Sequence, residues 1–137
     1  MHIDGGCHCG FIQYEGDADP EKTAICHCTD CQRQSGSPFS VVVGVPAGEL
    51  SIEGDTLASF TTMGEDHQTP TKREFCSGCG SPIVSRIEAI PELAFLKAGS
   101  LDDSSWLQPS VEVWCRSAQP WTPHLADAPQ LERSPAG

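Results

Sequence analysis

Short stretches in which apolar and polar residues alternate recur along this chain, the signature of half-buried strands. Phe11-Ile12-Gln13-Tyr14-Glu15 alternates and runs into the turn-rich Gly16-Asp17-Ala18-Asp19-Pro20. Ser40-Val41-Val42-Val43-Gly44-Val45 is a β-branched run that stops at Pro46. Residues 58–62 and 71–75 are strand-like and flank a loop at 63–70 containing Gly, Asp and Pro, which predicts a long hairpin. Residues 83–87, 93–98 and 111–114 add strands separated by Pro91 and by Gly99-Ser100-Leu101-Asp102-Asp103. The count comes to about eight short strands.

Helical spacing is scarce. Thr29-Asp30-Cys31-Gln32-Arg33-Gln34-Ser35-Gly36 predicts one or two turns, stopped by Gly36 and Pro38. Residues 123–137 mix Pro, Ala and charge without a period and are expected to wrap the surface or fray. The expectation is a mainly β fold of short antiparallel sheets with at most short helical turns. One domain over residues 1–125 is followed by a surface tail, 126–137.

Composition narrows the function. A chain of 137 residues suits one core and therefore one principal site. Nineteen Asp and Glu against eight Lys and Arg give a net charge of −11, which repels phosphate backbones and anionic lipid, so nucleic acid and membranes are excluded as partners. No apolar run approaches the ~18–20 residues that cross a bilayer, and the first residues lack a basic then apolar leader, so a cytoplasmic location is expected. Eight cysteines are many for a reducing compartment, where disulfides are rare.

Their spacing offers another use. Cys7 and Cys9, then Cys26, Cys28 and Cys31, then Cys76 and Cys79 form three clusters, with Cys115 alone. Thiols two or three residues apart can share a metal, whereas a disulfide between such neighbours closes a strained ring. Cys76-Ser77-Gly78-Cys79-Gly80 is a knuckle that curls around a metal, and pairing it with Cys7 and Cys9 completes a tetrahedral, structural set. Cys26, Cys28 and Cys31 are then left as a three-thiolate site with an open fourth position, the arrangement of catalytic zinc. Iron is the rival occupant of thiolate sites, and a division that sets the first five cysteines in competition for one metal would strand Cys76 and Cys79.

His8 and His27 sit between cysteines, where alternation turns the imidazole away from a metal held by its neighbours. His27 is nevertheless a candidate for the surroundings of the open site. Cys115 alternates with apolar residues in Val111-Glu112-Val113-Trp114-Cys115 and reads as a half-buried strand thiol, with a fourth-ligand role as its alternative.

The pattern Cys7-His8-Cys9-Gly10, then Cys26-His27-Cys28-Thr29-Asp30-Cys31 followed by Ser35-Gly36, then Cys76 to Gly80, resembles the glutathione-dependent formaldehyde-activating enzyme family, which also contains centromere protein V. Pro38-Phe39, Arg73-Glu74-Phe75-Cys76, Ala98-Gly99-Ser100-Leu101-Asp102 and Gln119-Pro120-Trp121 are similar too, so that the resemblance spans residues 3–125. It implies a β-tent-like fold with two zinc ions per chain. Cys7, Cys9, Cys76 and Cys79 would hold the structural ion, and Cys26, Cys28 and Cys31 the catalytic one. The implied reaction joins formaldehyde to glutathione, giving S-hydroxymethylglutathione, and is classed with the carbon–sulfur lyases.

Soft thiolate ligands also suit a further sulfur donor, so the expected substrate is a thiol such as glutathione. Its carboxylates call for cations, among which Arg33 is nearest to the middle cluster in sequence; the bland reading of every Lys and Arg is a solvated surface charge. For the proton that the reaction moves, His27, Asp30 and water are the candidates. The alternative function is a non-catalytic binding module with two structural zinc sites, which requires His27, Cys115 or a partner's residue to close the middle site.

Overall fold

The computed structural model describes residues 1–134 and contains ten strands. A small antiparallel sheet has the order β1 (His2–Gly6), β2 (Gln13–Asp17), β5 (Ser51–Glu53). The larger sheet runs β10 (Pro109–Val113), β3 (Thr23–Cys26), β4 (Ser40–Pro46), β9 (Leu93–Lys97), β8 (Pro82–Ile87), β7 (Thr71–Cys76), β6 (Leu57–Thr62). Every pairing is antiparallel except β10 with β3. The mainly β expectation holds, with one parallel pair at the edge that it did not contain. The predicted hairpin is β6 and β7, in register from Leu57 opposite Cys76 to Thr62 opposite Thr71. The helical turns are one helix, α1 (Thr29–Ser35), closed by Gly36 at φ 68.

Register fixes which residues share a face, because directly paired side chains point the same way. Val43 pairs with Leu96, which pairs with Val84, and all three are buried. On this face the small sheet packs through Ile3 and Tyr14, joined by Ile12 just before β2, making one apolar core. The opposite face carries polar residues. Cys26 pairs with Ser40, and Lys97 pairs with Val42, two residues further along the same strand. Phe95 pairs with Ser85, and Ser85 with Arg73, which extends that face towards β7. Helix α1 covers it, as the contacts of Arg73 with Cys31 and Gln34 show.

One expectation near the end of the chain is revised. Cys115 is not in a strand: β10 ends at Val113, Trp114 takes the left-handed conformation with φ 56, and Cys115–Ser117 is a 3-10 turn. Residues 129–133 lie along β10, Glu112 N–H donating to the Pro129 carbonyl and Trp114 N–H to that of Arg133. Residues 135–137 of the expected tail lie outside the described residues.

Candidate metal and thiol site

Cys7 and Cys9 follow β1 in a tight turn, which Gly10 completes at φ 86. Cys76 ends β7, and the knuckle after it closes by Gly80 N–H donating to the Cys76 carbonyl at 2.7 Å, with Gly80 at φ 80. The four sulfurs lie within 4.8 Å of one another. Cys7 Sγ is 3.5 Å from Cys9 Sγ, which is 3.7 Å from Cys76 Sγ. Four sulfurs at the zinc–sulfur distance of a tetrahedron stand about 3.8 Å apart, so this cluster is the right size for one ion.

Donors surround these sulfurs as thiolates require. Ile12 N–H donates to Cys7 Sγ at 3.2 Å, and the Thr56 hydroxyl lies 3.3 Å from Cys76 Sγ. Ser81 Oγ lies 3.1 Å from Cys79 Sγ and accepts the His8 N–H at 3.0 Å, linking the two halves of the cluster. The hydroxyl and the backbone N–H of Ser81 hold the Cys79 thiol down to about 5. Thr56 acts in the same direction on Cys76.

The middle cluster is built by the end of β3 and the start of α1. Cys28 is the N-cap of α1, and its sulfur accepts the Cys31 N–H at 3.3 Å, so one turn of helix brings the two together. Cys26, Cys28 and Cys31 place their sulfurs within 4.8 Å of one another. Cys28 and Cys31 are buried, while Cys26 is partly exposed. Among the described residues neither His27 nor Cys115 belongs to this group, so it has three protein sulfurs.

Two buried cations flank it. Arg73 Nη1 lies 3.6 Å from Cys31 Sγ, and its other contacts are neutral: Gln34 Oε1 at 3.4 Å and Thr62 Oγ1 at 2.8 Å. Lys97 Nζ donates to Ser40 Oγ at 2.9 Å. Arg73 is 5% and Lys97 7% exposed, and among the described residues neither has a carboxylate partner. Buried cations need a counter-charge, and the thiolates supply it. Hydrogen bonds from Cys26 and Cys28, with the charges of Lys97 and Arg73, hold the Cys31 thiol well below the ordinary range. Burial pulls the Lys97 ammonium down, opposed by Cys31. An anionic centre with Arg73 in contact and Lys97 near by, neither paired with a carboxylate among the described residues, fits a divalent ion bound by three thiolates.

His27 is on the other side of its strand, as alternation predicts. It is fully buried, and its Nε2 lies 2.7 Å from Glu112 Oε1, which also meets His124 Nδ1 at 2.7 Å. Asp30 is also engaged, its Oδ2 accepting the Gly64 N–H at 3.0 Å. Arg33 is exposed in the last turn of α1. The cations brought to the cluster are Arg73 and Lys97, two of the eight Lys and Arg, for which the bland alternative of a solvated surface charge does not hold.

A cavity of about 860 Å³ opens where the strands end. Its wall runs from Cys7 and His8, beside the first cluster, to Ser40 and Lys97; no cysteine of the middle cluster lines it, but Ser40, the cross-strand partner of Cys26, does. Gln32, Glu112, His124 and Gln119 were missed as site residues. Gln32 Nε2 donates to the carbonyls of His27 and Ser117, and Gln119 donates to Gln32 Oε1 at 3.0 Å, tying the Gln119-Pro120-Trp121 stretch to the middle cluster.

Known proteins resemble the chain in sequence and in fold. A sequence profile described as glutathione-dependent formaldehyde-activating enzyme matches residues 2–117. A Talaromyces marneffei protein, provisionally named as such an enzyme, is 28% identical over 116 residues, covering 81% of this chain and 60% of its own length. A Podospora anserina protein of the same provisional name is 31% identical over 97 residues, covering 67% of this chain and 43% of itself. One from Halomonas elongata is 28% identical over 105 residues, 74% of this chain and 67% of its own. The chain thus spans 60% and 43% of the first two relatives. A crystal structure of a Rhodobacter sphaeroides protein shares the fold, with a TM-score of 0.62 at 18% identity over 93% of this chain and 99% of the other. No helix among the described residues is long and apolar enough to cross a membrane.

Proposed function

The chain belongs to the glutathione-dependent formaldehyde-activating enzyme family, and on that premise we propose that it is a zinc-dependent enzyme of the carbon–sulfur lyase type, joining a thiol to a small aldehyde and reversing that step. The thiol is glutathione or a close relative, and the aldehyde is formaldehyde. Cys7, Cys9, Cys76 and Cys79 hold a structural zinc, and Cys26, Cys28 and Cys31 hold a second. The observation that carries this reading is the three-sulfur cluster touching the buried Arg73 and near the buried Lys97, with no fourth ligand among the described residues.

When bound there, zinc supplies positive charge that lowers the pKa of a thiol seated at its open position. The chain's own residues do the rest. Cys28, as the cap of α1, and Cys31, one turn on, would present two of the three sulfurs to the ion together. Arg73 offsets the charge gathered at Cys31. In the forward reaction the substrate sulfur attacks the carbonyl carbon, a C–S bond forms, and the C=O π pair moves to oxygen, which takes a proton. The cavity beside Ser40 and Lys97 has room for a tripeptide thiol.

The test is a glutathione titration of cobalt-substituted protein, read in the visible thiolate and d–d bands. A saturable change is expected. An unchanged spectrum with two cobalt ions bound would favour a binding module with both sites closed.

A further inference from the structure

The reaction above leaves a charge on oxygen, and the two groups that sequence reasoning offered for it are engaged elsewhere: His27 with Glu112 across the sheet, Asp30 with the Gly64 N–H. Lys97 is not. Its ammonium has three N–H donors and, among the described residues, one acceptor, Ser40 Oγ at 2.9 Å. It lines the cavity while being almost wholly buried, and among the described residues no carboxylate is paired with it, although Asp102 lines the same cavity.

Register says where that ammonium stands. Cys26 is directly opposite Ser40 on β4, Lys97 is opposite Val42 on the same strand, and all four share a face. Adjacent strands are about 4.8 Å apart. By reaching back to Ser40, Lys97 brings its charge next to the residue that faces Cys26. Lys97 thus stands on the side of the sheet where an atom one carbon away from a sulfur held at the middle cluster would sit. The carboxylates of glutathione, many bonds from its sulfur, are better placed towards the open end of the cavity.

We propose that Lys97 is a catalytic residue that donates an N–H to the aldehyde-derived oxygen of the thiol adduct, with Ser40 aiming it. The proposal rests on the thiol–aldehyde reading given above. As sulfur adds to carbon, the π pair arrives on an oxygen already facing the ammonium, which stabilises the charge as an oxyanion-hole donor does. The proton released by the thiol goes to solvent and the alkoxide takes one from solvent, so Lys97 remains an ammonium throughout. In the reverse direction the same contact holds the hydroxyl oxygen while the C–S bond breaks.

Zinc-loaded wild type, Lys97→Met and Ser40→Ala are compared by two measurements. Exchange NMR follows the interconversion of S-hydroxymethylglutathione with glutathione and formaldehyde against a protein-free control. Calorimetry compares binding of mercaptoacetate, which carries an oxyanion close to its sulfur, with that of ethanethiol, which carries none. Lys97→Met is expected to keep both zinc ions and its glutathione affinity, slow exchange at saturation by about 100-fold, and lose a wild-type preference for mercaptoacetate of about tenfold. Ser40→Ala, the milder change should Lys97→Met fail to fold, is expected to move both readouts the same way by about a third as much on a logarithmic scale.

Unchanged exchange and preference in the variants overturn the proposal. So does loss of glutathione affinity with exchange at saturation intact, which would make Lys97 a carboxylate anchor, and so does loss of the middle zinc, which would make it a counter-charge alone. If wild type gives no acceleration over the control, the thiol–aldehyde reading itself falls and the catalytic role with it. The mercaptoacetate preference then tells whether an oxyanion subsite exists at Lys97.

Discussion

The imidazole Nε2 of His27 lies 2.7 Å from Glu112 Oε1, and neither side chain has exposed surface. This contact pins the backbone between Cys26 and Cys28 to β10, and Glu112 extends it to the C-terminal segment through His124 and the Leu125 N–H. Glu112→Ala would strand a buried imidazole whose Nδ1 already lacks a partner. A loss of about 3 kcal/mol in stability is expected, together with a middle zinc that a chelator removes faster. The four-cysteine zinc should be unaffected. Urea melts and chelator competition check the two effects.

The same carboxylate predicts a pH dependence. Burial pushes the Glu112 carboxyl up, but hydrogen bonds from His27, Leu125 N–H and His124 outweigh it and hold it below its ordinary 4.5. A carboxyl depressed in the folded state contributes stability in full above its unfolded value and loses it as pH falls through the folded one. The gap in stability between wild type and Glu112→Gln should therefore be constant above about pH 5 and shrink below about 4.5. Taking the difference between the two proteins cancels the acid lability that both share through their cysteines. A gap that stays constant down to pH 3 would count against the assignment.

At the four-cysteine cluster, Ser81 is the residue to change. Its Oγ sits 3.1 Å from Cys79 Sγ and its hydroxyl and N–H depress that thiol to about 5. Protons compete with zinc for a thiolate, so raising the thiol's pKa extends the competition to higher pH. Ser81→Ala should weaken zinc binding at this cluster by about 10- to 100-fold, and most at mildly acidic pH. Competition titrations at pH 6 and 8 would show it.

Much of this was legible in the chain because it is local. The hairpin of β6 and β7, the β4 run and the turn of α1 follow from short-range alternation and stop signals. The cysteine clusters are also local, since a knuckle or a helical turn brings neighbours together. Strands β1, β3 and β5 were missed for physical reasons. In β1, Gly5 and Gly6 hide the alternation, and Gly5 is there because a Cβ would overlap the Tyr14 ring and the Ser100 carbonyl. The short β3 and β5 are held by their partners on either side or at one edge, not by a periodic signal of their own. Arg73, Lys97 and Glu112 were illegible as site residues because their partners lie across the sheet. The one available signal was a charge at an inward strand position, as Arg73 is between Thr71 and Phe75.

The division of the cysteines is tested by a pair of substitutions. Cys76 is fully buried in the apolar core and joins chain segments distant in sequence, whereas Cys28 caps a short helix on the opposite face of the larger sheet. Cys76→Ser should abolish cooperative unfolding, because structural zinc contributes about 10 kcal/mol or more to folding in small zinc domains. Cys28→Ser should keep a cooperative melt, lose about half of the bound zinc and no longer bind glutathione. Equal loss of structure in both variants would sink the four-plus-three arrangement.

Arg73 allows a test of the charge at the middle cluster. With the cluster stripped, the Cys31 thiol, held well below its ordinary range, is the charged partner of the guanidinium at 3.6 Å, beside the neutral Gln34 and Thr62. With the cluster loaded, three thiolates and a divalent ion would carry a net negative charge, which the same guanidinium would offset. Arg73→Met removes one partner of a buried charge pair in either state and should lower stability by about 3 kcal/mol, whereas Arg73→Lys, which keeps the charge, should recover much of that loss. Urea melts of the two variants check it. Equal loss in both would mean that Arg73 acts by packing and geometry alone, and would take away the charge argument for an anionic centre at Cys26, Cys28 and Cys31.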